Sequence, residues 1–269
     1  MSNLVSEKTI QDFGEQHKAY SESGGYYVSI ELLQDVLGSL MKTTEFSGCS
    51  VVDLGSGTGR WVRVLHEVGA QSITAIEPSE AITVCKQKTA DLDRVVYHQV
   101  TGDKIPEGSY DIVYSFGVIH HIPEPDPVMK RVFQVLRPGG RVVIWLYGRE
   151  NNGLYLAFVQ TLRAITVRVS HDTLDKISAL MVPMVRLYSR LAKILPLPLR
   201  GYMESVIDKL DNYTVKHVIY DQLNPHYAKY YRRHEAIDLL ERAGFINVQV
   251  YHREKYSWTV IGEKPMENL

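Results

Sequence analysis

A glycine turn set between a short apolar run and an amphipathic stretch constrains this chain more than any other feature. Residues 50–54 read as a buried strand. Gly55-Ser56-Gly57-Thr58-Gly59 follows, and residues 61–68 have helical spacing. Glycines there let the backbone turn tightly and approach a ligand without a Cβ in the way. The free N–H groups at the start of the next helix suit a polar or anionic group. A strand that feeds a helix in this way returns to a parallel neighbour by a right-handed crossover.

The same rhythm repeats downstream. Residues 72–77, 95–100, 110–115 and 141–146 read as strands, and 79–89 and 126–136 as helices. The second of these helices is expected to stop before Pro138-Gly139-Gly140. From 148 to 231 no strand pattern occurs, and Pro183, Pro196, Pro198 and Pro225 are expected to interrupt several helices. A helix at 233–243 ends at Gly244. Strands at 247–252 and 258–263 are close enough to pair antiparallel. Ahead of the glycine turn, 30–41 is an amphipathic helix with Ser29 as its N-cap. Residues 1–29 are polar, with Phe13, Tyr20, Tyr26 and Tyr27 interspersed, and no element is assigned there. The expected fold is α/β: a Rossmann-like, seven-stranded, mostly parallel sheet with helices on both faces and an α-helical cap inserted. It divides into an N-terminal segment and helix (1–46), a core (47–148), a helical cap (149–231) and a segment completing the sheet (232–269).

Two cofactor classes use such a turn. Dinucleotide binders favour Gly-x-Gly-x-x-Gly, which sets a pyrophosphate on the helix start. Here the third glycine comes one residue earlier, and Asp53 precedes the turn. Glu77 ends the next strand, where a carboxylate can accept from both hydroxyls of a ribose. An acid before the turn suits a ligand with cationic groups, as in S-adenosylmethionine (SAM), whose sulfonium and amino groups are positive.

Asp53-Leu54-Gly55-Ser56-Gly57-Thr58-Gly59 resembles the first motif of class I SAM-dependent methyltransferases. Glu77 is similar to that family's ribose-binding acid, with Pro78 beside it. Thr101-Gly102-Asp103 resembles the stretch that meets the adenine amino group. The fourth strand with Gly117-Val118-Ile119-His120-His121-Ile122 resembles the branch with a His-His motif. Leu136-Arg137-Pro138-Gly139-Gly140 is similar to the turn before the fifth strand. The resemblance spans about 47–146. It implies SAM as cofactor, held by Asp53, Gly55, Ser56, Gly57, Gly59, Glu77, Pro78, Thr101, Gly102 and Asp103, with Phe116 placed to pack on the adenine or in the core. By the same resemblance, the N-terminal part (1–46) would be a lid, with residues 13–16, Tyr20 and Tyr26-Tyr27 folding over the cofactor, and the cap (149–231) would bind the substrate.

Methyl transfer from a sulfonium is an in-line displacement whose leaving group is already activated. Alignment is therefore the main requirement. A base is needed only where the acceptor must lose a proton. His120 and His121 stand at the correct end of the sheet for that role, or they shape the pocket. The polar and aromatic stretch 220–231 adds His226, Asp221 and Tyr227 as groups that orient the acceptor. O-methylation of a small molecule, glycan or secondary metabolite is expected. The alternatives are C-methylation of a lipophilic quinone or polyketide-like ring, a SAM-binding regulator without turnover, and, more remotely, an NAD-dependent oxidoreductase.

A formal net charge of −1 argues against broad nucleic-acid binding. The two cysteines, Cys49 and Cys85, lack metal-ligand spacing or a disulfide framework and read as buried free thiols, and no metal site is expected. The N-terminus lacks the basic start and apolar block of a signal peptide, so a cytoplasmic location is expected. Between 149 and 200 basic residues outnumber acids among many apolar ones. Such a segment contacts a membrane surface or a lipid-linked acceptor, or it is a cap that solvates its charges. The sequence does not fix the oligomeric state.

Overall fold

The computed structural model describes residues 2–20, 22 and 24–266. Seven strands form one sheet: β1 (Ser50–Leu54), β2 (Ser72–Ile76), β3 (Val95–His98), β4 (Tyr110–Phe116), β5 (Leu136–Tyr147), β6 (Ile246–Arg253) and β7 (Ser257–Glu263). Their spatial order is β3-β2-β1-β4-β5-β7-β6. The first five strands pair in parallel, and β7 runs antiparallel to both β5 and β6. The order reverses direction between β1 and β4. Ligands bind in open α/β sheets at such a switch point, outside the carboxyl ends of the strands.

Side chains alternate across the sheet and split its core in two. Ile112 and Tyr114 of β4 face one side, where α2 (Ile30–Leu37) and α3 (Arg60–Glu67) contribute Leu33, Val36, Trp61 and Leu65. Val113 faces the other side, against Met129 and Val132 of α5 (Asp126–Val135) and Leu239 and Leu240 of α10 (Arg233–Glu241). α4 (Ala81–Lys88) joins β2 to β3. Ser29 caps α2 as expected, its side chain accepting from the Leu32 N–H at 3.1 Å.

The insertion is helical: α6 (Gly153–Thr166), α7 (His171–Ile194), α8 (Arg200–Ser205) and α9 (Asn212–Leu223). Leu174, Val182, Val215 and Leu223 form a separate small core there with Tyr20. Pro183 does not interrupt a helix; it sits inside α7, which continues to Ile194. The Pro138-Gly139-Gly140 segment also differs from expectation. β5 already begins at Leu136, which pairs with Tyr110, and the next pair is Ile112 with Arg141. The extra residues bulge from the ladder and are held by Lys264, whose carbonyl accepts from Gly139 N–H and whose N–H donates to Gly140 O. Cys85 is buried, whereas Cys49 is only half-buried.

Residues Ser2–Ala19 form a helix, α1, which hydrophobic periodicity did not indicate. Its buried side is Thr9, Asp12, Gln16 and then Tyr20, polar at helical spacing. A polar side can be buried only where partners meet it. They come from far along the chain: Asn224 donates to Gln16, Gln16 to Asp221, and Tyr20 to Asp175.

A buried ion pair fastens α2 to the sheet edge. The Arg253 guanidinium is 3% exposed, and its Nε donates to Asp35 Oδ2 at 3.0 Å. Removing one partner of such a pair leaves an uncompensated charge. Asp35→Ala should lower the free energy of unfolding by about 3 kcal/mol in urea denaturation. A loss below about 1 kcal/mol would show that this pair does not anchor the helix.

Candidate active site

The carboxyl ends of β1, β2, β4 and β5 open into a cavity of about 880 Å³. α1 roofs it, and α9 supplies the far wall. At the near wall the glycine turn leaves β1. Gly55 N–H and Ser56 N–H both donate to Ile76 O, at 2.7 and 3.0 Å, so the turn is tied to the end of β2. Gly55 has φ +81°, and a Cβ there would lie 2.1 Å from Val118. Gly57 has φ +52°, and a Cβ would lie 2.9 Å from the His17 ring of α1. Both positions therefore require glycine for backbone geometry and for space.

Glu77 braces this turn. Its Oε2 accepts from Gly57 N–H at 3.1 Å, and its Oε1 from Ser79 N–H and Oγ at 3.0 and 2.6 Å. The carboxylate retains acceptor capacity toward the cavity. Pro78, Thr101, Gly102, Asp103 and Phe116 line the same space, with Gly55, Ser56, Gly57 and Gly59. Phe116 also stacks on Trp145 at 4.5 Å, and the Arg60 guanidinium sits 5.1 Å from its centroid.

Asp53 is placed differently from the sequence-based expectation. It lies behind the turn, off the cavity wall and 1% exposed, and burial pushes its carboxyl up to about 7. Both its carboxylate oxygens are buried without a hydrogen-bond partner among the described residues. The same holds for three atoms of cavity-lining residues: Arg60 Nη1, His17 Nδ1 and Trp61 Nε1. At the cavity wall such atoms are open to a ligand's polar groups.

The histidines separate by position. His121 lines the cavity, and its Nδ1 lies 2.8 Å from Tyr227 O. That carbonyl accepts from Nδ1–H, which leaves Nε2 with the lone pair. Burial holds His121 down to about 4. His120 is absent from the cavity wall: it is fully buried behind Tyr147, with ring centroids 3.8 Å apart. His226 is exposed and outside the cavity, paired with Asp12 of the roof helix at 2.6 Å.

Asp221 projects from α9 into the far wall. It accepts from Gln16 Nε2 at 2.8 Å and from the Tyr147 hydroxyl at 3.0 Å. Burial raises the Tyr147 hydroxyl well above its usual range, so it remains a donor. Tyr147 in turn accepts from Gln222 Nε2 at 2.7 Å. His217, one helical turn before Asp221, is held down to about 3 by burial. Sequence reading gave no role to Arg60, His17, His217, Tyr147 or Arg253, all on the cavity wall. Of these, Arg60 alone carried a local signal, since it directly follows the glycine turn.

Residues 52–144 match the family described as a methyltransferase domain. Two curated relatives share this region. The chain is 29% identical over 107 residues to the tRNA U34 carboxymethyltransferase of Idiomarina loihiensis, covering 37% of this chain and 33% of that one. It is 26% identical over 133 residues to the ubiquinone biosynthesis O-methyltransferase of Pseudomonas paraeruginosa, covering 47% and 57%. The chain thus spans between a third and somewhat over half the length of these relatives. Among solved structures, 1,6-didemethyltoxoflavin-N1-methyltransferase of Burkholderia thailandensis, solved with S-adenosylhomocysteine, matches with a TM-score of 0.55. That match has 14% identity and covers 98% of this chain and 91% of that one, which shows a shared fold.

This chain carries a class I SAM-dependent methyltransferase domain, the class for which SAM is the methyl donor. The site fits that donor. Glu77 is free to accept from ribose hydroxyls, Asp103 lines the pocket beyond β3, and Arg60 presents an open N–H for a carboxylate.

Two measurements check this geometry. Glu77→Ala should weaken SAM binding about 10- to 100-fold by calorimetry, since hydrogen bonds to a charged group are lost. Unchanged affinity would remove Glu77 from the site. The second concerns pH. His17, His120, His121 and His217 are buried neutral, all held below the usual 6.5. Below 6.5 the unfolded chain takes up protons that the folded chain refuses, so stability falls with acidification. Asp53 acts oppositely: between 3.8 and about 7 the folded chain holds a proton that the unfolded chain has lost. Four imidazoles outweigh one carboxyl. Lowering the pH from about 7 to about 5 should reduce the unfolding free energy on the order of 3 kcal/mol. A flat urea midpoint across that range would contradict the buried, neutral state of these rings.

Proposed function

We propose that the protein transfers the methyl group of SAM to the hydroxyl of a small molecule held between the glycine turn and α9. The observation that carries this reading is Asp221, a carboxylate on the wall of the same cavity as Glu77 and the glycine turn. Bound SAM would supply the electrophilic methyl. The protein's part is to align the acceptor and receive its proton.

Gln16 and Tyr147 both donate to Asp221 and fix the direction of its carboxylate. A carboxylate held in this way takes the hydroxyl proton as the new C–O bond forms. His121, neutral with its lone pair on Nε2, is the second acceptor on the wall. Phe116, Trp145, Tyr147 and Tyr202 give the chamber aromatic faces, which suit a planar ring. That favours a phenolic acceptor over a glycan. The O-methyltransferase name of the Pseudomonas relative supports the same reading. The aromatic faces would equally hold a lipophilic quinone for C-methylation, and the balance rests on Asp221, since an oxygen acceptor gains most from a base.

Asp221→Asn should lower kcat about 100- to 10,000-fold with a phenolic acceptor while SAM affinity stays within about twofold. S-adenosylhomocysteine release would be followed across a panel of phenols, catechols and sugars. Full turnover in the variant would assign the proton elsewhere.

A further inference from the structure

The outer side of α7 carries an apolar stripe that no element of the chain covers. Leu180, Met184, Leu187, Leu191 and Ile194 follow at steps of four and three residues, and Leu180 and Ile194 are 74% and 80% exposed. That spacing sets them in one row along the helix. α6 adds Leu154, Phe158 and Ile165, also exposed. Its one charged residue, Arg163, is turned inward, where Nε donates to Gln222 O. Both helices pack their inner sides on α9, through Thr166 to Leu223 O and through the His171–Tyr220 contact. Their stripes therefore lie on the outside of the cap. Leu195, just past the end of α7, is exposed as well, and the remaining exposed large apolar side chains, Val96, Tyr213, Ile246 and Met266, stand singly on other segments. A grouped apolar surface of this kind marks an interaction site, whereas scattered ones need no explanation.

Basic residues outnumber acids beside the stripe. Beyond Asp172 in the first turn, the exposed charged residues of α7 are Lys176, Arg190 and Lys193. Arg168 lies between the two helices, and Arg200 follows α7. Lys193 pairs with Asp208, Arg200 with Glu204, and Asp175 lies beside Lys176, while Arg190 and Arg168 are exposed and make no ion pair among the described residues. A second copy of the chain, placed across a two-fold axis, would set these cations against themselves. An anionic bilayer meets both features, since lipid chains accept the leucines and headgroup phosphates accept the cations. No helix among the described residues is long and apolar enough to cross a membrane, so the contact is interfacial.

We propose that the outer face of α6 and α7 docks the protein on anionic lipid bilayers, α7 lying in the membrane plane with its leucine row toward the acyl chains. The proposal is independent of the methyl acceptor and does not need turnover.

The test is flotation of the full-length protein with vesicles of phosphatidylcholine, with and without phosphatidylglycerol. Binding should require phosphatidylglycerol and weaken with added salt. F158Q/L187Q and K176Q/R190Q should each lower the partition coefficient at least about tenfold. SAM titration should remain as in the parent chain, which separates lost docking from lost folding. Because Lys176 and Arg190 are exposed, the second variant keeps its fold even if the first does not. Three results would overturn the proposal: no association with phosphatidylglycerol vesicles, equal binding by both variants, or a solution dimer that F158Q/L187Q dissociates.

Discussion

The carboxylate of Glu77 sets the shape of the glycine turn. It spans two crossover connections, accepting from Gly57 in the first and from Ser79 in the second. The glycine turn is pinned from the other direction by Ile76 O and pressed from above by Val118 and His17. A turn with three glycines is intrinsically loose, because glycine loses the most conformational freedom on folding. These contacts remove that looseness at the one place where backbone N–H groups must face a ligand. The roof helix, the switch point and the far wall are arranged around that loop.

The cap contributes the opposing chemistry. Asp221 and Tyr147 come from different layers, one from α9 and one from the end of β5, and meet across the cavity. The segment after α9 is stitched to the sheet: Tyr231 N–H donates to Tyr147 O, and Lys229 N–H to His120 O. Arg163 brings a permanent charge beneath this wall, and its bonds go to neutral oxygens, Gln222 O and the Tyr230 hydroxyl. Burial and hydrogen bonding thus fix this wall's donors toward the Asp221 carboxylate. The preorganisation is electrostatic as well as geometric.

The sheet was legible wherever local chemistry sets a boundary. β1 runs over 50–54 as expected, since an apolar run meets a glycine turn, and Glu77 stands at the end of β2. The C-terminal pair at 246–263 follows from two strand patterns too close for a crossover. Legibility failed where long-range partners decide. α1 buries Asp12 and Gln16, and each meets a partner more than two hundred residues away. His120 and His121 are neighbours on one 3-10 turn, yet one is sealed in the core and the other lines the cavity. Nothing local distinguishes them. Arg253 sits in an edge strand where a cation is unremarkable, and only Asp35 of a distant helix explains its burial.

Pro183 has a bearing on depth. Proline has no N–H to return to the carbonyl four residues earlier, that of Ala179, and both residues are on the exposed side of α7. In water this carbonyl is solvated at little cost. In hydrocarbon an unmet carbonyl costs several kcal/mol. On the proposed bilayer contact the middle of α7 would have a waterline. The helix would rest among headgroups with its leucines dipped below them, and would strand a backbone oxygen if it sank further. One residue in a 24-residue helix would thus act as a float, setting how low these helices ride.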